Sequence, residues 1–248
     1  MDIIINKKES NQVLYKIVKE ENGVCEILGI NYRIKKMVDV KDIEKAPEEL
    51  LEKEKENARK YSSFLGCRKN SVKGLVGTVL HIDTDKNYLN KCVDLYKSVG
   101  IYVYPILSKE EKIESEIKNI NIGFCPDVIV ITGHDYFSGN NKKDINNYMN
   151  SKYFASAVAM ARKQYPNSVI VAGACQSLYE VLIARGANFA SSPKRKNIHV
   201  YDPAVIAINA CVTSQKQIID FYKMSKYIEN FNDAFGGVET FGKMKVMY

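Results

Sequence analysis

The chain reads as an α/β protein with a doubly wound, mostly parallel sheet of the caspase-like or flavodoxin-like kind, preceded by a small β segment. Three observations predict this. Strand-like and helix-like runs alternate from residue 75 to 192 at the spacing of βαβ units. The strand runs "DVIVIT" and "SVIVAG" are continuous in β-branched apolar residues, as strands covered on both faces are. The first 45 residues instead carry short β runs broken by turn signals.

Taken in order, "QVLYKIV", "GVCEILG" and "NYRIKKMV" suit a small barrel or meander over residues 1–46. Pro47 opens "PEELLEKEKENARKYSSFL", with glutamates in its early turns and Leu50, Leu51, Ala58, Tyr61 and Leu65 near helical spacing, so residues 47–74 are expected to be a helical linker. The α/β domain then runs over 75–248. Its expected elements are a strand at 75–83, a helix at 86–100 closed by glycine, and a strand at 101–107. A helix follows at 108–120, with Ser108 as cap and Glu111 at capping-box spacing. Next come a strand at 127–132, a helix at 151–165, a strand at 168–173, a helix at 177–186 and a short strand at 188–192. Beyond these, "DPAVIAINACVTSQKQIIDFYKMSKYIENF" reads as mostly helical, and "FGGVETFGKMKVMY" as a glycine-punctuated hairpin or tail.

Composition narrows the function classes. With 46% hydrophobic and 26% charged residues among 248, the chain has the make-up of a folded globular protein. The net charge of +7 is scattered, and only Lys194, Arg195 and Lys196 form a dense basic cluster, so a solvated basic face is expected rather than nucleic-acid binding. No apolar run approaches the roughly 20 residues of a membrane span, and the polar turn after three isoleucines is too early for a signal peptide; a cytoplasmic protein is expected. The six cysteines, at 25, 67, 92, 125, 175 and 211, form no CxxC pair, which predicts neither a disulfide framework nor a metal site, and no cofactor is expected.

In open α/β sheets, functional residues collect beyond the carboxyl ends of the strands. "VIVITGHD" places His134 and Asp135 there, and "VIVAGACQS" places Cys175, so a thiol and an imidazole should meet in one cleft. That pair suits nucleophilic catalysis: the thiolate attacks a carbonyl, a thiol of ordinary pKa is scarcely ionised at neutral pH, and an imidazole can take the proton and return it to a leaving amine. A helix beginning near Ser177 would add a positive dipole end and free N–H groups beside Cys175. Gly173 and Ala174 leave room for a substrate backbone. Together with Gly133, Asp135, Gln176 and Asp83 they are the candidates for substrate or oxyanion contacts.

His81 is expected to pack or hydrogen-bond at a strand end. His199 is an alternative base, which would suit an amidotransferase-like cysteine hydrolase built on a nucleophile elbow. A non-enzymatic scaffold on the same fold is the third reading.

An apolar strand followed by His134, then 41 residues later an apolar strand followed by Ala174-Cys175-Gln176, resembles the arrangement of caspase-like cysteine peptidases. Here Ser177 replaces the final glycine of that signature, and Asp135 follows the histidine. The longer stretches "LHIDTDKNYLNKCVDLYKSVGI", "PDVIVITGHDYF", "VIVAGACQSLYEVLIARGANFASSPKR" and "GGVETFGKMK" together resemble the sporulation-specific cysteine protease family, YabG, of spore-forming Firmicutes, over nearly all of residues 75–245. The resemblance implies an endopeptidase of the mother cell that becomes associated with the spore coat. It would process spore coat and germination-protein precursors next to basic residues, with Cys175 as nucleophile and His134 as base. An Arg-accepting pocket needs a carboxylate, for which Asp135, Asp83 and Glu180 are candidates. Such an enzyme could also cut itself in the basic stretch from Arg59 to Lys73.

Overall fold

The computed structural model describes residues 3–9, 13–56, 74–121 and 123–247. The N-terminal part is an antiparallel sheet of β1 (Ile4–Asn6), β2 (Tyr15–Glu21), β3 (Val24–Gly29), β4 (Lys35–Asp39) and β5 (Ile43–Lys45), in the order β4-β3-β2-β1-β5. Strands β1 to β4 run as a meander, one of the two forms expected, and β5 returns to pair with β1. Asn22 and Gly23, both at positive φ, close the β2–β3 hairpin. A helix, α1, follows over residues 48–56. The rest of the expected linker helix, through residue 73, and the basic stretch from Arg59 to Lys73 lie outside the described residues.

The second part is built on a six-stranded sheet. Its members, in chain order, are β7 (Val79–Asp83), α2 (Lys86–Ser98), β8 (Val103–Leu107), α3 (Ile113–Asn119), β9 (Val128–Ile131), α4 (Ser151–Gln164), β10 (Val169–Ala172), α5 (Tyr179–Ala184), β11 (Phe189–Ser191), α6 (Asp202–Val212), α7 (Phe231–Ala234) and β12 (Phe235–Gly237). The strand order is β12-β11-β10-β9-β7-β8, parallel except for the edge strand β12. The C-terminal tail is thus no hairpin: β12 extends the main sheet, and β13 (Lys245–Val246) pairs with β6 (Gly74–Leu75).

Every residue of β7, β9 and β10 is buried. Alternate side chains pack to opposite faces, as strand geometry requires. Val79, Val128, Val130, Val169 and Val171 face α2 and α6, whereas Leu80, Ile82, Ile129, Ile131 and Ile170 face α3, α4 and α5. Helix α6 is buried almost all round, which is why its sequence shows little amphipathic pattern.

One local expectation fails instructively. Ser108 does not cap a helix: residues 110–112 form a 3-10 turn before α3, neither turn nor helix has a side-chain cap, and the Ser108 hydroxyl donates to the Lys109 carbonyl. The adjacent acid, Glu110, is turned away toward His134 instead.

A cysteine and a histidine at the edge of the parallel sheet

The sheet order reverses at β7, where β8 lies on one side and β9 on the other, and such switch points open a crevice at the carboxyl edge. Three adjacent strands deliver their candidate residues there. Ile82 pairs with Ile131, and Ile131 with Ala172, so Asp83, the Thr132–Asp135 loop and the Gly173–Gln176 loop leave the sheet side by side.

The two glycines are required by space. A Cβ at Gly133 would sit 2.7 Å from Thr84 Cγ2 and 3.0 Å from Phe154. Gly173 has φ +111°, and a side chain there would strike Ser191 and Leu182. Gln176 holds φ 60°, an uncommon conformation for a side chain of its size, immediately after the cysteine. This turn is pinned from all sides. The Ser177 hydroxyl accepts from the Ala174 N–H (2.8 Å), Ser191 donates to the Ala174 carbonyl (2.8 Å), and the Gln176 N–H donates to Ser192 Oγ (2.9 Å).

The expectation of free N–H groups at a helix start near Ser177 is therefore corrected. Helix α5 begins at Tyr179, and the N–H groups of Gln176, Ser177, Leu178 and Tyr179 all have acceptors within the protein. Serines fill this loop, and their hydroxyls, with nearby carbonyls, take the donors that a dipole argument left open.

His134 is held through one ring nitrogen and its backbone N–H. Its Nδ1 lies 3.3 Å from Thr84 Oγ1 and 3.8 Å from Glu110 Oε1, and its backbone N–H donates to the same carboxylate oxygen (3.1 Å). Burial pushes the Glu110 carboxyl up, but hydrogen bonds from His134 and Thr84 outweigh it and hold the group below its ordinary value. His134 Nε2 is buried without a hydrogen-bond partner. The Tyr88 ring lies 6.0 Å away, centroid to centroid. Neither Thr84, Glu110 nor Tyr88 was singled out from sequence as a partner of His134; Glu110 was hidden in what resembled a capping box.

Cys175 is 2% exposed. Its sulfur accepts the Ile198 N–H at 3.3 Å and shares no hydrogen bond with His134. Burial pushes the thiol up to about 11, with the Ile198 N–H, the Arg33 guanidinium and the Arg33 backbone N–H acting the other way. The thiol is thus protonated in this closed arrangement. Alkylation by iodoacetamide, read on the Cys175 peptide, should climb about tenfold per pH unit between pH 7 and 10, following the thiolate fraction. A plateau near pH 8 would contradict this protonation state.

The carboxylates separate by environment. Asp135 accepts from Tyr136 N–H (3.0 Å), Asn150 N–H (2.8 Å) and the Ser151 hydroxyl; burial raises its pKa, and its oxygens are spent on holding the loop. Glu180 is an exposed partner of Arg195 at 2.6 Å. That ion pair also takes Arg195 out of the expected free basic cluster.

Asp83 is fully buried, bonded to Thr132 Oγ1 (2.8 Å), the Asp85 N–H (3.0 Å) and Arg33 Nη2 (2.5 Å). His81 bridges Tyr96 and Thr132 at 3.1 Å each, the packed role expected of it. His199 Nε2 lies 3.1 Å from Glu54 of α1. Beside Gln176 a groove of about 620 Å³ runs between α1, Asn31, Tyr32, residues 195–197 and His199. Among the described residues no cluster of His, Cys, Asp and Glu could hold a metal ion, and no helix is long and apolar enough to cross a membrane.

The family model described as YabG peptidase U57 matches residues 1–248. The chain is similar to the sporulation-specific protease YabG of Bacillus subtilis (strain 168), with 41% identity over 175 residues, covering 68% of this chain and 60% of that protein. The match thus spans less than two thirds of that relative's length. No solved structure matches.

Proposed function

The chain belongs to the YabG peptidase U57 family, and from that premise we propose that it is a cysteine endopeptidase of sporulation in which Cys175 is the nucleophile and His134 the base. The observation that carries the reading is the state of His134. One ring nitrogen is oriented by Thr84 and Glu110, and the other is buried and unpartnered on the strand next to the one that ends in the thiol. An imidazole so held can take the thiol proton at Nε2, and the thiolate then attacks the peptide carbonyl. The imidazolium returns the proton to the leaving amine, and water releases the acyl group by the same route. Reaching this geometry from the closed state requires the Cys175 side chain to leave Ile198. The reading extends to a caspase-like arrangement, to cleavage next to arginine, and to spore coat and germination-protein precursors as substrates. It places the protein in the mother cell and then at the spore coat.

The test is to incubate the protein with an unfolded, arginine-containing protein and to identify new termini by mass spectrometry. Cleavage after arginine, stopped by thiol alkylation, is expected; cleavage indifferent to alkylation would refute the cysteine mechanism.

Glu110 enters as a positioning residue. Glu110→Gln should lower kcat about tenfold to a hundredfold, less than loss of the base itself, with KM little changed. An unchanged kcat, or a loss carried by KM instead, would reduce Glu110 to a structural role.

A further inference from the structure

Arg33 lies in the loop that joins β3 to β4, yet its side chain is fully buried in the other part of the molecule. Its Nη2 meets Asp83 Oδ2 at 2.5 Å and Thr132 Oγ1 at 3.4 Å, and its guanidinium carbon stands 5.3 Å from the centre of the Tyr88 ring. Carboxylate, hydroxyl and aromatic wall all come from the α/β part, at the edge of the sheet that carries His134 and Cys175.

The loop backbone is also laid out as a bound peptide would be. Tyr32 pairs antiparallel with His199, and the Val200 N–H donates to the Asn31 carbonyl at 2.7 Å, two residues beyond the Ile198 N–H that the Cys175 sulfur accepts. Adding an extended segment to a free backbone edge is a common mode of peptide recognition.

The guanidinium is incompletely served, since Nε and Nη1 are buried without partners. Unmet buried donors weaken a contact, so the fit leaves this occupant open to displacement.

We propose that Asp83, Thr132 and the Tyr88 ring form the pocket for a substrate's arginine side chain, and that Arg33 occupies it as a built-in pseudosubstrate that must withdraw before a peptide binds. The proposal rests on the peptidase reading for its consequence, but pocket and plug can be tested without turnover. In a Cys175→Ala background, a short arginine peptide and its norleucine counterpart are titrated into the Arg33 form and into Arg33→Ala.

Arg33→Ala should bind the arginine peptide at least tenfold more tightly and show no such gain for the norleucine peptide. Adding Asp83→Asn should remove the gain. In the Arg33 form, saturating arginine peptide should speed hydrogen exchange at the Gly29 and Ile34 amides, which are bonded within this loop. That second readout stands even if Arg33→Ala does not fold.

Equal affinity in both forms, or loop exchange unchanged with the arginine peptide bound, would overturn the plug. Failure of either form to bind the arginine peptide would overturn the pocket. Failure of the peptidase reading looks different: arginine-selective, Asp83-dependent binding persists, while the Cys175 form cleaves nothing even with Arg33 removed.

Discussion

Cys175→Ala and His134→Ala should each abolish hydrolysis of an arginine reporter peptide, measured against the most active form of the protein. Loss of the nucleophile leaves only what binding and orientation supply. Loss of the base should cost about 10²–10⁴-fold, the usual contribution of positioned acid–base catalysis. Neither change should unfold the chain. Cys175 is a small side chain close to alanine in volume, with its sulfur bonded to the Ile198 backbone, and the His134 side chain is 26% exposed.

The pH profile separates the two variants further. A cysteine held up near 11 in the closed state needs the imidazole to ionise it at neutral pH. Activity surviving in His134→Ala should therefore rise steadily with pH, whereas the parent should reach a plateau. His199→Ala is the control that discriminates between enzymes. His199 is tied to Glu54 across α1, so its loss should loosen the docking of that helix while sparing the chemistry. Full activity in Cys175→Ala would refute the cysteine mechanism, and loss of activity in His199→Ala with retention in His134→Ala would transfer the role of base.

The half of this site that was legible in sequence lies on the parallel strands. A strand covered on both faces must be apolar along its whole length, so the first polar or reactive residue after it marks the edge where ligands bind. Thus Asp83, His134 and Cys175 could be placed at one edge from the chain alone.

The other half was hidden because it depends on packing between distant segments. Arg33 sits in "NYRIKKMV", where alternation suits an ordinary strand; only the docking of the β3–β4 loop on α2 buries it. The Tyr88 hydroxyl donates to the Gly29 and Tyr32 carbonyls, and Lys91 donates to the Ile30 carbonyl and to Asn31. Tyr88 lay unmarked within the helix expected at 86–100. Glu110 lay beside Glu111, the residue read as helix-start chemistry, and its partner, His134, is tertiary. The Ser177 region erred the other way, since a dipole argument counts free N–H groups but cannot see the serine hydroxyls that satisfy them. The extension of the N-terminal β part into a shared core is a further tertiary fact: Tyr15, Cys25 and Ile27 pack in one cluster with Val79, Cys175 and Val200.

The same burial makes Asp83 the group on which acid stability should depend most. Asp83→Asn keeps the side chain's shape but leaves the Arg33 guanidinium charged in a site without its counter-ion. Breaking one side of a buried pair costs about 3–5 kcal/mol, whereas replacing both partners by neutral groups often costs little. The expected result in urea is a large loss for Asp83→Asn and substantial recovery in Arg33→Met/Asp83→Asn. Additive losses would mean that the two groups do not act as a pair.

The pH dependence has a definite sign. Burial pushes the Asp83 carboxyl up, but Arg33 and His81 more than reverse this and hold it far below the ordinary carboxylate range. Its stabilising contribution is complete above about pH 4, the unfolded value, and is lost as pH falls toward the folded one. His81 acts in the same direction at higher pH. Burial lowers its pKa, so below about pH 6.5 the unfolded chain takes up a proton that the folded chain refuses. The parent should therefore lose stability in two stages on acidification, the first from His81 and the second from Asp83. Asp83→Asn should abolish the second stage, and because Asp83 favours the charged imidazole, its loss should deepen the first. Displacement of Arg33 by a peptide's arginine differs from either variant: it exchanges one cation for another, leaves Asp83 paired, and so avoids the cost that makes the single substitution severe.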